Sequence, residues 1–125
     1  MNAILLVASG GAIGSVARYL VGAGMARAFG VAFPYGTLAV NIIGGFLMGL
    51  FIELLARRFQ GSPELRLFIA IGILGGFTTF SSFSLDVVVL WQRGEFGIAL
   101  FYVLASVILS IGALFFGLWL ARMST

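Results

Sequence analysis

Residues 67–91 read LFIAIGILGGFTTFSSFSLDVVVLW, a stretch long and oily enough to cross a bilayer that carries Gly75, Gly76, Thr78, Thr79, Ser81, Ser82 and Ser84 at its centre. An unbroken helix is a poor reading of that centre. Irregular backbone at membrane depth is tolerated where protein covers it or where it lines a wet passage, and neighbouring hydroxyls can satisfy the backbone groups a break sets free. The stretch predicts a span over residues 66–91, broken near 75–81, with residues 75–84 as the candidate site.

Working outward, the same apolar character recurs on both sides. Residues 1–17 carry no charged side chain, Arg18 interrupts, and the pattern resumes to Ala26, giving a first span over residues 3–26. The start MNAILLVASGG lacks the basic region of a cleaved leader, so this span is read as part of the mature chain. A second span over residues 35–56 follows Pro34, a residue tolerated at a helix start, and stops at Arg57 and Arg58. The linker RRFQGSPELR holds the clearest turn signal, with Ser62, Pro63 and Glu64 suited to begin the next helix. After the short turn Gln92, Arg93, Gly94 and Glu95, an uncharged run gives a fourth span over residues 96–121, closed by Arg122. The predicted fold is an all-α integral membrane protein of four helices.

Composition agrees. Of 125 residues, 62% are hydrophobic and 9% charged, which leaves too little polar surface to coat a soluble domain of this size. The formal charge of +3, from 7 basic residues, all Arg, against 4 acidic ones, is too small and dispersed for a nucleic-acid-binding face, so membrane lipid is the expected partner. Neither Cys nor His occurs, which excludes disulfides, thiol catalysis and Cys/His zinc sites. With the N-terminus inside, Arg57, Arg58, Arg66 and Arg122 lie on the inner side against Arg27 and Arg93 outside. That bias is modest, and both one weak orientation and insertion both ways fit it.

A few polar side chains stand out against this background. Arg18 lies within the first span, where a guanidinium either snorkels, draws anions into a vestibule or holds a subunit interface. Asn41, near the middle of the second span, either ties helices together or contacts a solute. Tyr102, Ser106 and Ser110 recur every fourth residue and share one helix face, as a polar track or as packing. Phe80 and Phe83 sit among hydroxyls, and the positive edge of a ring can face an anion. The pairs Gly10 with Gly14, Gly45 with Gly49, and Gly72 with Gly76 are read as close helix contacts rather than as a nucleotide loop. Glu53 and Asp86 fall towards span ends, while Glu64 and Glu95 belong to loops. That leaves no obvious central carboxylate for proton exchange and no nucleophile-base pair for an enzyme.

The segments GGFTTFSSFS and VNIIGG and the GSVARY pattern around Arg18 resemble the small dual-topology fluoride ion channel family (Fluc/CrcB), and the likeness covers nearly the whole chain. The resemblance implies an antiparallel homodimer of four-span subunits that passively exports cytoplasmic fluoride and relieves its toxicity. It implies a bacterial plasma membrane location, the inner membrane in a Gram-negative source. It gives Asn41, Phe80, Phe83, Tyr102, Ser106 and Ser110 to the fluoride pathway, with Thr79, Ser81 and Ser82 in support and Arg18 in a vestibule or structural role. It also implies a structural sodium ion at the dimer interface, held by the backbone carbonyls of Gly75 and Thr78. No organic cofactor and no obligate partner beyond a second copy is implied. The family often reads TTFSTFS, where this chain has Ser82, which keeps the hydroxyl and loses a methyl. Two other functions of this chain length stay open on the residues alone: a proton-coupled cation or multidrug transporter, and a nontransporting membrane assembly protein.

Overall fold

The computed structural model describes residues 2–124. Helix α1 spans Ala3–Phe29 and begins where Asn2 Oδ1 accepts from the Ile4 amide at 2.8 Å, satisfying a donor that the first helical turn leaves open. It stops at Gly30, whose φ of 81° suits a residue without a Cβ. Helix α2 spans Tyr35–Arg58 directly after Pro34. Its C-terminus turns through Gln60 and Gly61, both at positive φ (56° and 69°), and the Gly61 amide reaches back to the Leu55 carbonyl at 2.9 Å.

The third span is assembled from pieces. A turn of helix α3 (Pro63–Leu65) leads into a π-helical segment, Arg66–Leu74, then α4 (Gly75–Phe77). Residues 78–80 are not helical, and α5 (Ser81–Gln92) completes the crossing. The interruption is narrower than the 75–81 window read from the sequence, because Gly75 and Gly76 keep helical backbone. Helix α6 spans Phe96–Met123.

Four helical stretches, Ala3–Phe29, Tyr35–Arg58, Pro63–Gln92 and Phe96–Met123, are long and apolar enough to cross a membrane. Large apolar side chains such as Ile4, Leu104, Ile108 and Phe115 stand exposed, as lipid contact requires. Between helices the contacts are instead made by small residues. A Cβ on Gly45 would come within 2.6 Å of the Ser110 carbonyl, and one on Gly49 would meet the Leu114 carbonyl, so α2 and α6 approach backbone to backbone. On the other side, Gly10 and Gly14 of α1 lie against the backbone of Phe68, Gly72 and Ile73 in the π-helical segment. The side-chain core of Phe83, Leu90, Ala99 and Tyr102 lies between α5 and α6. The break is thereby flanked by α1 and α2.

Candidate functional site

Two side chains from neighbouring helices grip the break. Asn41 of α2 bonds Thr79 reciprocally: its Oδ1 accepts from the Thr79 amide at 2.8 Å and its Nδ2 donates to the Thr79 carbonyl at 2.9 Å. Arg18 of α1 donates from Nε to the Gly76 carbonyl at 3.1 Å. The half-buried guanidinium therefore meets a carbonyl at the end of a half-helix, where a cation complements the unsatisfied acceptors. Within the break, the Ser82 amide donates to Thr79 Oγ1 at 3.1 Å, which caps the start of α5, and Thr79 Oγ1 lies 3.2 Å from Ser81 Oγ. Thr78 Oγ1 donates to the Leu74 carbonyl at 3.0 Å.

These bonds alter the backbone ladder. In a continuous α-helix the Thr79 amide would bind the Gly75 carbonyl and the Ser82 amide would bind the Thr78 carbonyl. Each is diverted, to Asn41 Oδ1 and to Thr79 Oγ1 respectively. The carbonyls of Gly75 and Thr78 are thus set free of their helical partners, while those of Gly76 and Thr79 accept from Arg18 and Asn41. Among the described residues no group of three or more His, Cys, Asp or Glu is placed to hold a metal. The Gly75 and Thr78 carbonyls are neutral, hard oxygen donors, a set that fits an alkali cation better than a transition metal.

Two clefts border the break. One, of about 410 Å³, brings together Asn41, Thr78, Phe80, Phe83, Ser106 and Ser110. The other, of about 520 Å³, is lined by Ser15, Arg18, Thr37 and Ser82. Thr79 borders both. In the first cleft the Phe80 and Phe83 rings stand 5.6 Å apart at 50°, Phe83 buried and Phe80 77% exposed. The hydroxyl oxygens of Ser106 and Ser110 are buried without a hydrogen-bond partner among the described residues. Buried polar atoms are normally satisfied, so these two need a ligand or water.

Tyr102 takes a different place from the two serines. It is fully buried, does not line the first cleft, and donates its hydroxyl to Asp86 Oδ2 at 2.9 Å. The regular spacing of residues 102, 106 and 110 carried no sign of Asp86, which lies 16 residues upstream on α5. The one signal was a charge set within the apolar run Leu85–Trp91. Ser81 lies exposed at the start of α5, outside both linings.

Four membrane-length helices, with the third interrupted and the interruption gripped by side chains of the first two, define a small polytopic membrane protein in which a few polar groups stand at a largely apolar cleft beside the break. Residues 5–118 match the family described as CrcB-like protein, Camphor Resistance (CrcB), and the chain belongs to that family. It is 62% identical over 119 residues to the fluoride-specific ion channel FluC of Agrobacterium fabrum, covering 95% of each chain. To the protein of the same name from Chelativorans it is 62% identical over 122 residues, covering 98% of each. The fluoride-specific ion channel FluC of Caulobacter vibrioides is 55% identical over 123 residues, with 98% of this chain and 97% of that one covered.

Proposed function

We propose that this chain is the subunit of a fluoride-specific channel of the bacterial plasma membrane, which exports cytoplasmic fluoride passively and without a chemical step. Membership of the CrcB family and the name carried by its relatives support the activity. The observation that carries the mechanism is the first cleft, where donors not committed elsewhere converge on one space. The Asn41 amide has two N–H groups and gives one to Thr79, leaving the other for an anion. The Ser106 and Ser110 hydroxyls have no hydrogen-bond partner among the described residues. The Phe80 and Phe83 rings add polarised edges.

Fluoride would exchange part of its hydration shell for these groups in turn. Several modest contacts suit conduction, because an ion must bind well enough to enter and weakly enough to leave. Arg18 gives its Nε to Gly76, and its remaining guanidinium N–H groups border the second cleft, a position from which they can draw an anion inward. Thr79 and Ser82, and Ser81 beside them, support the wall of this route. Tyr102 lies behind Phe83, with ring centroids 5.2 Å apart, and supports the pathway from there.

The working unit in this reading is an antiparallel homodimer. A single chain leaves Phe80 exposed and its cleft open on one side, which a second copy would close. The weak charge bias between loops allows copies of opposite orientation. Gly75 is exposed, and its carbonyl together with that of Thr78 would hold a structural sodium ion on the shared axis, each copy supplying two of the oxygens. The ion, when bound, supplies positive charge that bridges the two broken helices.

Purified protein reconstituted in liposomes, with a potassium shunt, tests the activity by comparing fluoride and chloride efflux. Comparable chloride flux overturns the selectivity. Phe80→Ile, Phe83→Ile and Asn41→Ala, checked for folding and assembly, should each lower fluoride efflux, and unchanged flux in all three rejects the pathway.

A further inference from the structure

Carbonyls in the broken segment are divided into two sets by the side chains that reach them. Those of Gly76 and Thr79 are occupied, the first by Arg18 Nε at 3.1 Å and the second by Asn41 Nδ2 at 2.9 Å. Those of Gly75 and Thr78 are vacated, because the amides that would occupy them in a helix donate to Asn41 Oδ1 at 2.8 Å and to Thr79 Oγ1 at 3.1 Å. Occupied and vacated carbonyls therefore intermix within five consecutive residues, 75–79. The pattern coincides with the extended backbone of Thr78 (ψ 159°), which turns the Thr79 amide away from Gly75 and toward Asn41.

We infer that Asn41 and the Thr79 hydroxyl are the positioning residues of the cation site: each diverts one amide and so keeps one carbonyl, Gly75 or Thr78, available to a monovalent cation. Arg18 completes the arrangement by occupying the carbonyl between them, which denies the cation that third oxygen and fixes the Gly76 peptide. The inference rests on the sodium reading above and adds to it a cause for the free oxygens. Asn41 acquires two roles on its two polar atoms. Its oxygen orders the cation site, while its nitrogen has a second hydrogen beyond the Thr79 bond on a residue that lines the first cleft. Cation binding and anion passage are then coupled through one amide plane, because the rotamer that presents Oδ1 to Thr79 also fixes where Nδ2 points.

The test uses the full-length dimer in detergent, titrated with sodium chloride against N-methylglucamine chloride, with the thermal midpoint of the assembled dimer as readout. Wild-type protein should gain stability with sodium by mass action. Asn41→Ala and Thr79→Val should each weaken the apparent sodium affinity by about tenfold or more, as loss of one ligand requires. Asn41→Asp keeps the acceptor for the Thr79 amide and should retain most of the sodium response. Ser110→Ala removes an anion-cleft hydroxyl that bonds none of the break's amides or carbonyls and should leave the sodium response intact while lowering fluoride efflux. Wild-type sodium affinity in both Asn41→Ala and Thr79→Val overturns the inference and leaves the sodium reading standing. No sodium response in the wild type overturns the sodium reading itself, and the inference with it. If Asn41→Ala does not assemble, Thr79→Val decides alone, since it keeps the Asn41 bonds to the Thr79 backbone and removes the Ser82 bond, with the exposed Ser81 contact, at the hydroxyl.

Discussion

The Tyr102 hydroxyl donates to Asp86 Oδ2 at 2.9 Å, joining α6 to α5 behind the Phe80–Phe83 pair. A phenol has one proton, so this bond commits Tyr102 as a donor and leaves its oxygen only lone pairs to offer elsewhere. The half-buried carboxylate in turn gains a partner towards the end of its span. Tyr102→Phe takes that donor from Asp86 and should cost about 1 kcal/mol of stability, the net worth of a typical hydrogen bond. Adding Asp86→Leu should restore part of that loss. A double-mutant cycle on thermal midpoints measures the coupling, and additive losses would show that the pair does not act as a unit.

Ser106 and Ser110 call for the opposite signature. Their hydroxyl oxygens are buried without a hydrogen-bond partner among the described residues, so removing them takes little from internal hydrogen bonding. Ser106→Ala and Ser110→Ala should leave stability unchanged or slightly raised, while each lowers fluoride efflux by about tenfold, the equivalent of one lost donor. Efflux assays and thermal midpoints on the same samples check this. A matched fall in both would mark the serines as packing residues.

Much of the architecture is legible before any coordinates, because span length is set by bilayer thickness and this chain contains little else. The interruption of the third span was also legible, since glycines and hydroxyl side chains crowd its centre. The hydrogen-bond details were not. Where the helix stops depends on Asn41, 38 residues from its partner Thr79, and nothing in the local sequence tells that Gly75 stays helical while Thr78 turns extended. The π-helical segment Arg66–Leu74 is equally invisible, because the glycines of α1 press on its backbone from the far side of the fold. For Arg18 the sequence allows snorkelling, anion attraction or an interface role, and the structure places its Nε on the Gly76 carbonyl 58 residues away. Tyr102 shares a helix face with Ser106 and Ser110 by spacing, yet a carboxylate from another helix decides what its hydroxyl does.

The loop between α2 and the third span offers a stabilising change that tests the local backbone. Gln60 adopts φ 56°, a left-handed conformation that costs a residue with a Cβ about 1 kcal/mol and costs glycine little. Gln60→Gly should therefore raise stability by a few tenths to about 1 kcal/mol, with the greater freedom of glycine in the unfolded chain limiting the gain. Fluoride efflux should not change, because the residue lies outside both clefts. A lower thermal midpoint would mean that the Gln60 side chain makes a contact worth more than the strain.

Two glycines on long helices should respond in opposite directions to the same added methyl. A Cβ on Gly49 would collide with the Leu114 carbonyl of α6, and a backbone atom cannot turn aside as a side chain does. At Gly112, also on α6, the same methyl would enter open space. Gly49→Ala must force α2 and α6 apart along their principal contact, at about 1–3 kcal/mol for overpacking. That displacement would also move Ser110, which meets Gly45 one helical turn before Gly49, so efflux should fall with stability. Gly112→Ala relieves the helix of a residue about 0.5–1 kcal/mol less favourable than alanine and should raise the thermal midpoint. If Gly112→Ala is instead the more damaging of the two, the open face around residue 112 is covered by another protein surface in the membrane.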